Sequence, residues 1–147
     1  MTPLNGFEMQ YVGAPDHYHL LRHGKVWKAP CDGALLLGAW AVHGLILVMT
    51  QDNDGYEDML HLSLMGTTGE VLEDVTIGVL YENGQAQNIL VTGPDRLALT
   101  FPFPPIQWQI TVWPRPKWCI PWPGNWSAVW RINSPWRTQL QCRYFRR

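Results

Sequence analysis

Hydrophobic and polar positions alternate with a period of two along much of this chain. Ile106, Trp108, Ile110 and Val112 are separated by Gln107, Gln109 and Thr111, the pattern of a strand with one dry face and one wet face. Leu60, Leu62 and Leu64 alternate with His61 and Ser63, Leu97, Leu99 and Phe101 with Ala98 and Thr100, and Leu140, Cys142 and Tyr144 with Gln141 and Arg143. Each run predicts a short antiparallel strand. The stretch Leu35 to Val48 is apolar at both parities and is interrupted by Gly44. It predicts a central hairpin buried on both sides.

Turn signals punctuate these runs: Asp32-Gly33, Asn53-Asp54-Gly55, Thr68-Gly69, Asn83-Gly84, Gly93-Pro94-Asp95, Pro104-Pro105 and Pro123-Gly124. Asn-Gly and Asp-Gly accept the positive φ angles of tight hairpins. Trp118, Trp122, Trp126 and Trp130 would line one face of a helix, but Pro121, Pro123 and Gly124 stand in that stretch and break it. The expectation is an all-β chain, a single antiparallel meander of about ten strands forming a sandwich or barrel. A faint repeat keeps a second architecture in view. Leu60-x-Leu-x-Leu returns as Leu97-x-Leu-x-Phe, and Val75-Thr-Ile as Ile110-Thr-Val, an interval close to the roughly 40 residues of a propeller blade.

Length and composition limit what the strands can build. The 147 residues suit one domain spanning 1–147, and 16% charged residues is well below the usual quarter. The longest apolar run, Ala34 to Thr50, contains Gly38, His43 and Gly44, and a helical membrane span needs about 20 apolar residues. The first residues lack the basic and apolar blocks of a secretory signal. An odd three cysteines, Cys31, Cys119 and Cys142, argue against a disulfide framework. A soluble, cytoplasmic protein is expected.

Charge divides the chain at Asp95. Residues 1–95 hold all twelve Asp/Glu against Arg22, Lys25 and Lys28, a formal −9, while residues 96–147 hold the other basic residues and no acid, a formal +8. No linker separates the halves, because alternation continues from Leu97 through Tyr144. Strands from opposite halves are expected to lie side by side and spend much of this charge within the fold.

Familiar catalytic signatures are missing: no nucleophile elbow, no His-Glu-x-x-His, no phosphate-binding loop and no Cys-x-x-Cys occur. His17 and His19 would point to one side of a strand, and with Asp16 or His23 they give the candidate centre of a metal-dependent enzyme. Without a second spaced pair, no metal or other cofactor is expected. Asp52, Asp54, Glu57 and Asp58 crowd a tight turn. The spacing resembles the start of a calcium loop, but Ser63 stands where the closing bidentate Glu belongs, so the segment reads as an acidic hairpin tip.

Seven of the nine tryptophans, Trp108, Trp113, Trp118, Trp122, Trp126, Trp130 and Trp136, lie in the basic half among Arg115, Lys117, Arg131 and Arg137. At least half of these rings are expected in the core, Trp108 and Trp130 first, because each alternates with Ile. The run from Trp113 to Trp126 carries Pro114, Pro116, Pro121, Pro123 and Gly124, which predicts an irregular loop presenting rings instead of burying all of them. Trp and Arg are the residues most enriched at binding hot spots. The functional expectation is therefore a non-catalytic module binding another protein, with Trp113, Arg115, Lys117, Trp118, Trp122 and Trp126 as contact surface and the acidic tip as electrostatic steering. Nucleic-acid or carbohydrate binding through the same rings and cations is the alternative.

Overall fold

The computed structural model describes residues 1–13, 17–53, 58–78, 84–101, 106–118, 129–131 and 137–145, with the backbone alone at His17 and at 129–131. Among them run β1 (Thr2–Pro3), β2 (Phe7–Gly13), β3 (His17–Arg22), β4 (Lys25–Cys31), β5 (Leu35–Val42), β6 (Leu45–Gln51) and β7 (Leu60–Met65). They are followed by β8 (Val71–Ile77), β9 (Gln87–Gly93), β10 (Arg96–Thr100), β11 (Gln107–Trp118), β12 (Val129–Arg131) and β13 (Arg137–Phe145). The fold is all-β, and every strand pairing is antiparallel.

Three sheets result, in the orders β1-β5-β6-β7-β8-β12, β13-β11-β10-β9 and β2-β3-β4. The parity of β6 explains how they stack. Leu47 and Met49 join Leu60, Leu62, Leu64, Val75 and Ile77 in a core shared with Leu97, Leu99, Trp108, Ile110 and Leu140 of the four-stranded sheet. Ile46 and Val48, which project the other way, join Leu20 and Cys31 of the three-stranded sheet in a second core. The six-stranded sheet is thus the middle layer, covered on both faces, which is why β5 and β6 are apolar at both parities. Each large side chain fully buried in these cores stabilises by roughly 1.5–3 kcal/mol.

Local chemistry sets the ends of the elements. His43 and Gly44, with φ of 52° and 75°, form the two-residue turn between β5 and β6, the primed geometry that matches strand twist. Gly93-Pro94-Asp95 turns β9 into β10 as the sequence predicts. The hairpin of β3 and β4 turns on His23 and Gly24, both at positive φ, a signal absent from the expected turns.

The expected meander is divided among the sheets. β2-β3-β4, β5-β6-β7-β8 and β9-β10-β11 are each consecutive hairpins, while β12 crosses back to the middle layer before β13 returns beside β11. None of the three sheets closes on itself, so the sandwich alternative holds and the barrel does not. The faint repeat does not mark blades: β7 and β8 lie in the middle sheet, β10 and β11 in the four-stranded one. Two facing amphipathic layers generate the same alternation independently.

Polar ties pin the layers. Lys28 Nζ on β4 donates to Asp74 Oδ1 at 2.8 Å and to Ser63 Oγ at 2.9 Å, and Ser63 Oγ donates to the same Asp74 oxygen at 2.6 Å. On the opposite face, the Glu73 carboxylate of β8 accepts the Thr138 hydroxyl and the backbone amides of Gln139 at 2.9 Å and Leu140 at 3.2 Å.

Candidate functional site

The candidate surface is built where β11 leaves regular pairing with β13. Val112 is opposite Leu140 and the next pair is Lys117 with Thr138, so Trp113, Pro114, Arg115 and Pro116 face Gln139 alone. Pro114 and Pro116 have no N–H to give the ladder and fix φ, so a continuous ladder is impossible and the strand is thrown outward as a bulge. The Gln139 side chain bridges the gap, its Nε2 donating to the Trp113 carbonyl at 3.2 Å. Pairing resumes for Lys117 and Trp118, the latter opposite Arg137.

This geometry sorts the rings. Trp108, before the bulge, is 1% exposed, and its Nε1 donates to the Phe101 carbonyl at 2.6 Å. Trp113, at the bulge, is half-buried, with Lys117 Nζ 3.4 Å from its ring centre. Trp118, beyond it, is 77% exposed, with the Arg137 guanidinium 5.6 Å from its ring centre. The expected irregular loop is therefore corrected over 113–118, which is bulged strand. Trp122 and Trp126 lie outside the described residues, as does the side chain of Trp130.

A cleft of about 230 Å³ opens beside the bulge, lined by Leu72, Glu73, Pro116, Arg137 and Gln139. Leu72 is 43% exposed there. Glu73, the one acid among these residues, is buried with its carboxylate spent on β13, while Arg115 and Lys117 are exposed on the adjoining bulge. Sequence reasoning missed Leu72, Glu73 and Gln139. A signal for Glu73 was present, since it shares the dry parity of Val75 and Ile77, where an acid has to be partnered.

Charge is segregated by sheet. The strands β9, β10, β11 and β13 contain Arg96, Arg115, Lys117, Arg137 and Arg143 and no Asp or Glu. Strands from the two halves do lie side by side, β12 with β8 and β9 with β10, and the acidic Glu73 is spent on β13. Lys28–Asp74 and His61–Asp52 both lie within the acidic half, and Arg96–Asp95 joins sequence neighbours. Arg115, Lys117 and Arg143 have no carboxylate partner among the described residues. β11 and β13 are neighbours in one sheet, and the acid-bearing strand that reaches them is β8, whose Glu73 accepts from Thr138, Gln139 and Leu140 of β13.

The acidic tip does connect β6 to β7, with Asp52 N donating to the Met59 carbonyl at 3.0 Å. Asp54 and Glu57 lie outside the described residues. The two flanking carboxylates are engaged internally. Asp52 Oδ1 meets His61 Nε2 at 3.1 Å while His61 Nδ1 meets Thr76 Oγ1 at 3.0 Å, and Asp58 accepts the Gly84 amide at 3.3 Å. Carboxylate, imidazole and hydroxyl in sequence are the parts of a nucleophilic relay, but the ring is largely buried and both its nitrogens are occupied, so the cluster ties the tip to β8. Leu60 is opposite Ile77 and Leu64 opposite Glu73, which sets the tip and the cleft at opposite ends of β8, about 13 Å apart along the strand.

His19 lies on β3, the central strand of the three-stranded sheet, and the backbone of His17 opens the same strand. Among the described residues no group of three His, Cys, Asp or Glu side chains converges as metal ligands. No described helix is long and apolar enough to cross a membrane. Comparison of the chain with protein-family models, with characterised proteins and with solved structures finds no match.

Proposed function

We propose that this protein is a non-catalytic binding module whose bulged β11 arm docks an acidic surface of a partner protein. The observation that carries this reading is Trp118. A ring 77% exposed, opposite Arg137 and next to Lys117 on a sheet whose strands hold no acid, offers large apolar area and fixed cations together. Solvent exposure of such a ring is unfavourable in the free protein and is relieved in a complex. The cleft at Leu72 and Pro116 adds a place for an aliphatic side chain, and Arg115 and Lys117 complement carboxylates around it.

A single-stranded nucleic acid is the second reading, favoured by the same absence of acids from the four-stranded sheet. The geometry supports it less well. Base stacking needs free ring faces, and Lys117 already occupies one face of Trp113 while Arg137 stands over Trp118. Retention on single-stranded DNA at low salt decides between them: no retention is expected, and strong retention that collapses as salt rises replaces the protein reading with the nucleic-acid one.

A further inference from the structure

We propose that the hairpin of β3 and β4 carries a second binding site, separate from the β11 arm, in which Arg22 and Lys25 together hold a phosphate monoester. These are two of the three Lys/Arg residues in 1–95, and the third, Lys28, is spent on Asp74. None of the ion pairs among the described residues includes Arg22 or Lys25. The two are instead set directly opposite each other in the register of the strands. Side chains so paired project to one face with Cβ atoms about 4.5–5.5 Å apart, where like charges repel. The two-residue turn of His23 and Gly24, both at positive φ, fixes them there.

The surroundings of Arg22 sharpen its need for an anion. Its guanidinium carbon lies 4.5 Å from the centre of the Trp27 ring and 5.3 Å from that of Phe7, two rings set edge to face at 86°. Phe7 is opposite Arg22 on β2. Trp27 reaches it through a slip in the β3–β4 ladder: Leu20 pairs with Lys28 and Leu21 with Val26, which leaves Trp27 as the extra residue of a bulge that aims its indole. The rings attract the cation but bring no countercharge. They also close one end of the guanidinium to water, since Nε is buried with no hydrogen-bond acceptor. A charge screened this poorly by solvent attracts an oxyanion more strongly than a fully exposed one. The turn is anchored too, because the His23 amide donates to the Gly6 carbonyl at 2.7 Å, so the two cations are in place before a ligand arrives.

The ligand class follows from charge and access. Glu8, the acid on the neighbouring strand, is opposite Leu21 and so projects to the other face of the sheet. Arg22 is half-buried and Lys25 exposed, which leaves the pair open to solvent. With Nε covered, the terminal nitrogens of the guanidinium are the donors left for a ligand, and Lys25 adds a flexible ammonium. A single carboxylate would offset one of these two charges. A phosphate monoester carries about −1.5 to −2 near pH 7 and three acceptor oxygens, enough to bridge both. Inorganic phosphate and a phosphorylated hydroxyl side chain share that chemistry.

Backbone amide chemical shifts of the full chain, followed during titration with sodium phosphate, O-phosphoserine or sodium acetate at constant ionic strength, test this. Phosphate should give saturable shifts centred on Arg22, His23, Gly24 and Lys25, and acetate should bind there about tenfold more weakly or worse. Tighter binding of O-phosphoserine than of phosphate supports the site and marks a phosphorylated side chain as its ligand; equal or weaker binding supports it with the free ion as ligand. Arg22→Gln and Lys25→Gln should each weaken phosphate binding by about tenfold or more. Without phosphate, Lys25→Gln should melt no lower than wild type, because it relieves the repulsion across the hairpin. No saturable shift at the hairpin, equal affinity for acetate, or undiminished phosphate binding by either folded variant overturns the proposal. Should Arg22→Gln fail to fold, Lys25→Gln still decides.

Discussion

The ammonium of Lys117 rests 3.4 Å from the centre of the Trp113 ring, four positions earlier on the same strand. Regular pleating would carry the two side chains well apart along β11, so the contact exists because the bulge folds the intervening Pro-Arg-Pro outward. An exposed pair of this kind contributes about 0.5–1 kcal/mol. Lys117→Ala should therefore lower stability by no more than that in urea denaturation, and should change the emission of Trp113. Loss of folding would mean that Lys117 organises the bulge itself.

Glu73 should matter far more than its place beside a surface cleft implies. Its two oxygens accept the Thr138 hydroxyl and the amides of Gln139 and Leu140, binding the middle sheet to the start of β13. Glu73→Ala removes the acceptor of the Gln139 amide, while the Thr138 hydroxyl keeps the Leu140 carbonyl and the Leu140 amide keeps the Thr138 oxygen, a loss of about 1–3 kcal/mol. Glu73→Gln, which keeps one oxygen, should lose less. Equal urea midpoints for wild type and both variants would show that the clasp is dispensable.

The Lys28–Asp74 pair holds the three-stranded sheet to the middle layer, with side chains 10% and 16% exposed. Removing one partner strands the other charge, and either Lys28→Met or Asp74→Leu should cost about 2–4 kcal/mol. The double variant should cost less than the sum of the two, by a coupling of about 1–3 kcal/mol. Strict additivity in a double-mutant cycle would contradict a direct bond.

Cys31 makes stability depend on alkaline pH. Burial pushes its thiol up from 9.0 to about 11, partly opposed by the nearby Lys28 charge. The folded state therefore keeps its proton where the unfolded chain releases one. The resulting stability is complete below about pH 9 and is lost as pH rises toward 11. Urea midpoints should fall across that window, and Cys31→Ala should flatten the fall. An identical pH dependence in Cys31→Ala would assign it to other groups.

Much of this fold was legible in the chain because alternation is a direct consequence of two-faced strands. Trp108, Ile110, Leu140 and Cys142 went where their parity sent them, and apolar residues at both parities marked β5 and β6 as a doubly covered hairpin. β2 to β4 were harder to read, because positions beside Leu20 and Met9 hold His19, Tyr18 and Gln10, whose parity carries no clear contrast. Proline announced the irregularity at Trp113–Pro116. It did not reveal that β13 resumes pairing at Lys117, since that depends on Thr138 being held in place by Glu73, a residue 65 positions away. The charge divide at Asp95 was visible, but its spatial outcome was set by sheet order, which pairing across long separations decides.

The central claim, that the arm beyond the bulge is a docking surface, is tested most directly by quantitative capture of partner protein from native extract by wild type and by Trp118→Ala and Arg115→Ala. Melting temperatures are measured in parallel. Both side chains are exposed, so the variants should melt within about 0.5 kcal/mol equivalent of wild type. Capture should fall at least tenfold in Trp118→Ala, and capture by wild type should weaken as salt is raised. Undiminished capture by both folded variants would contradict the claim and place the binding surface elsewhere on the molecule.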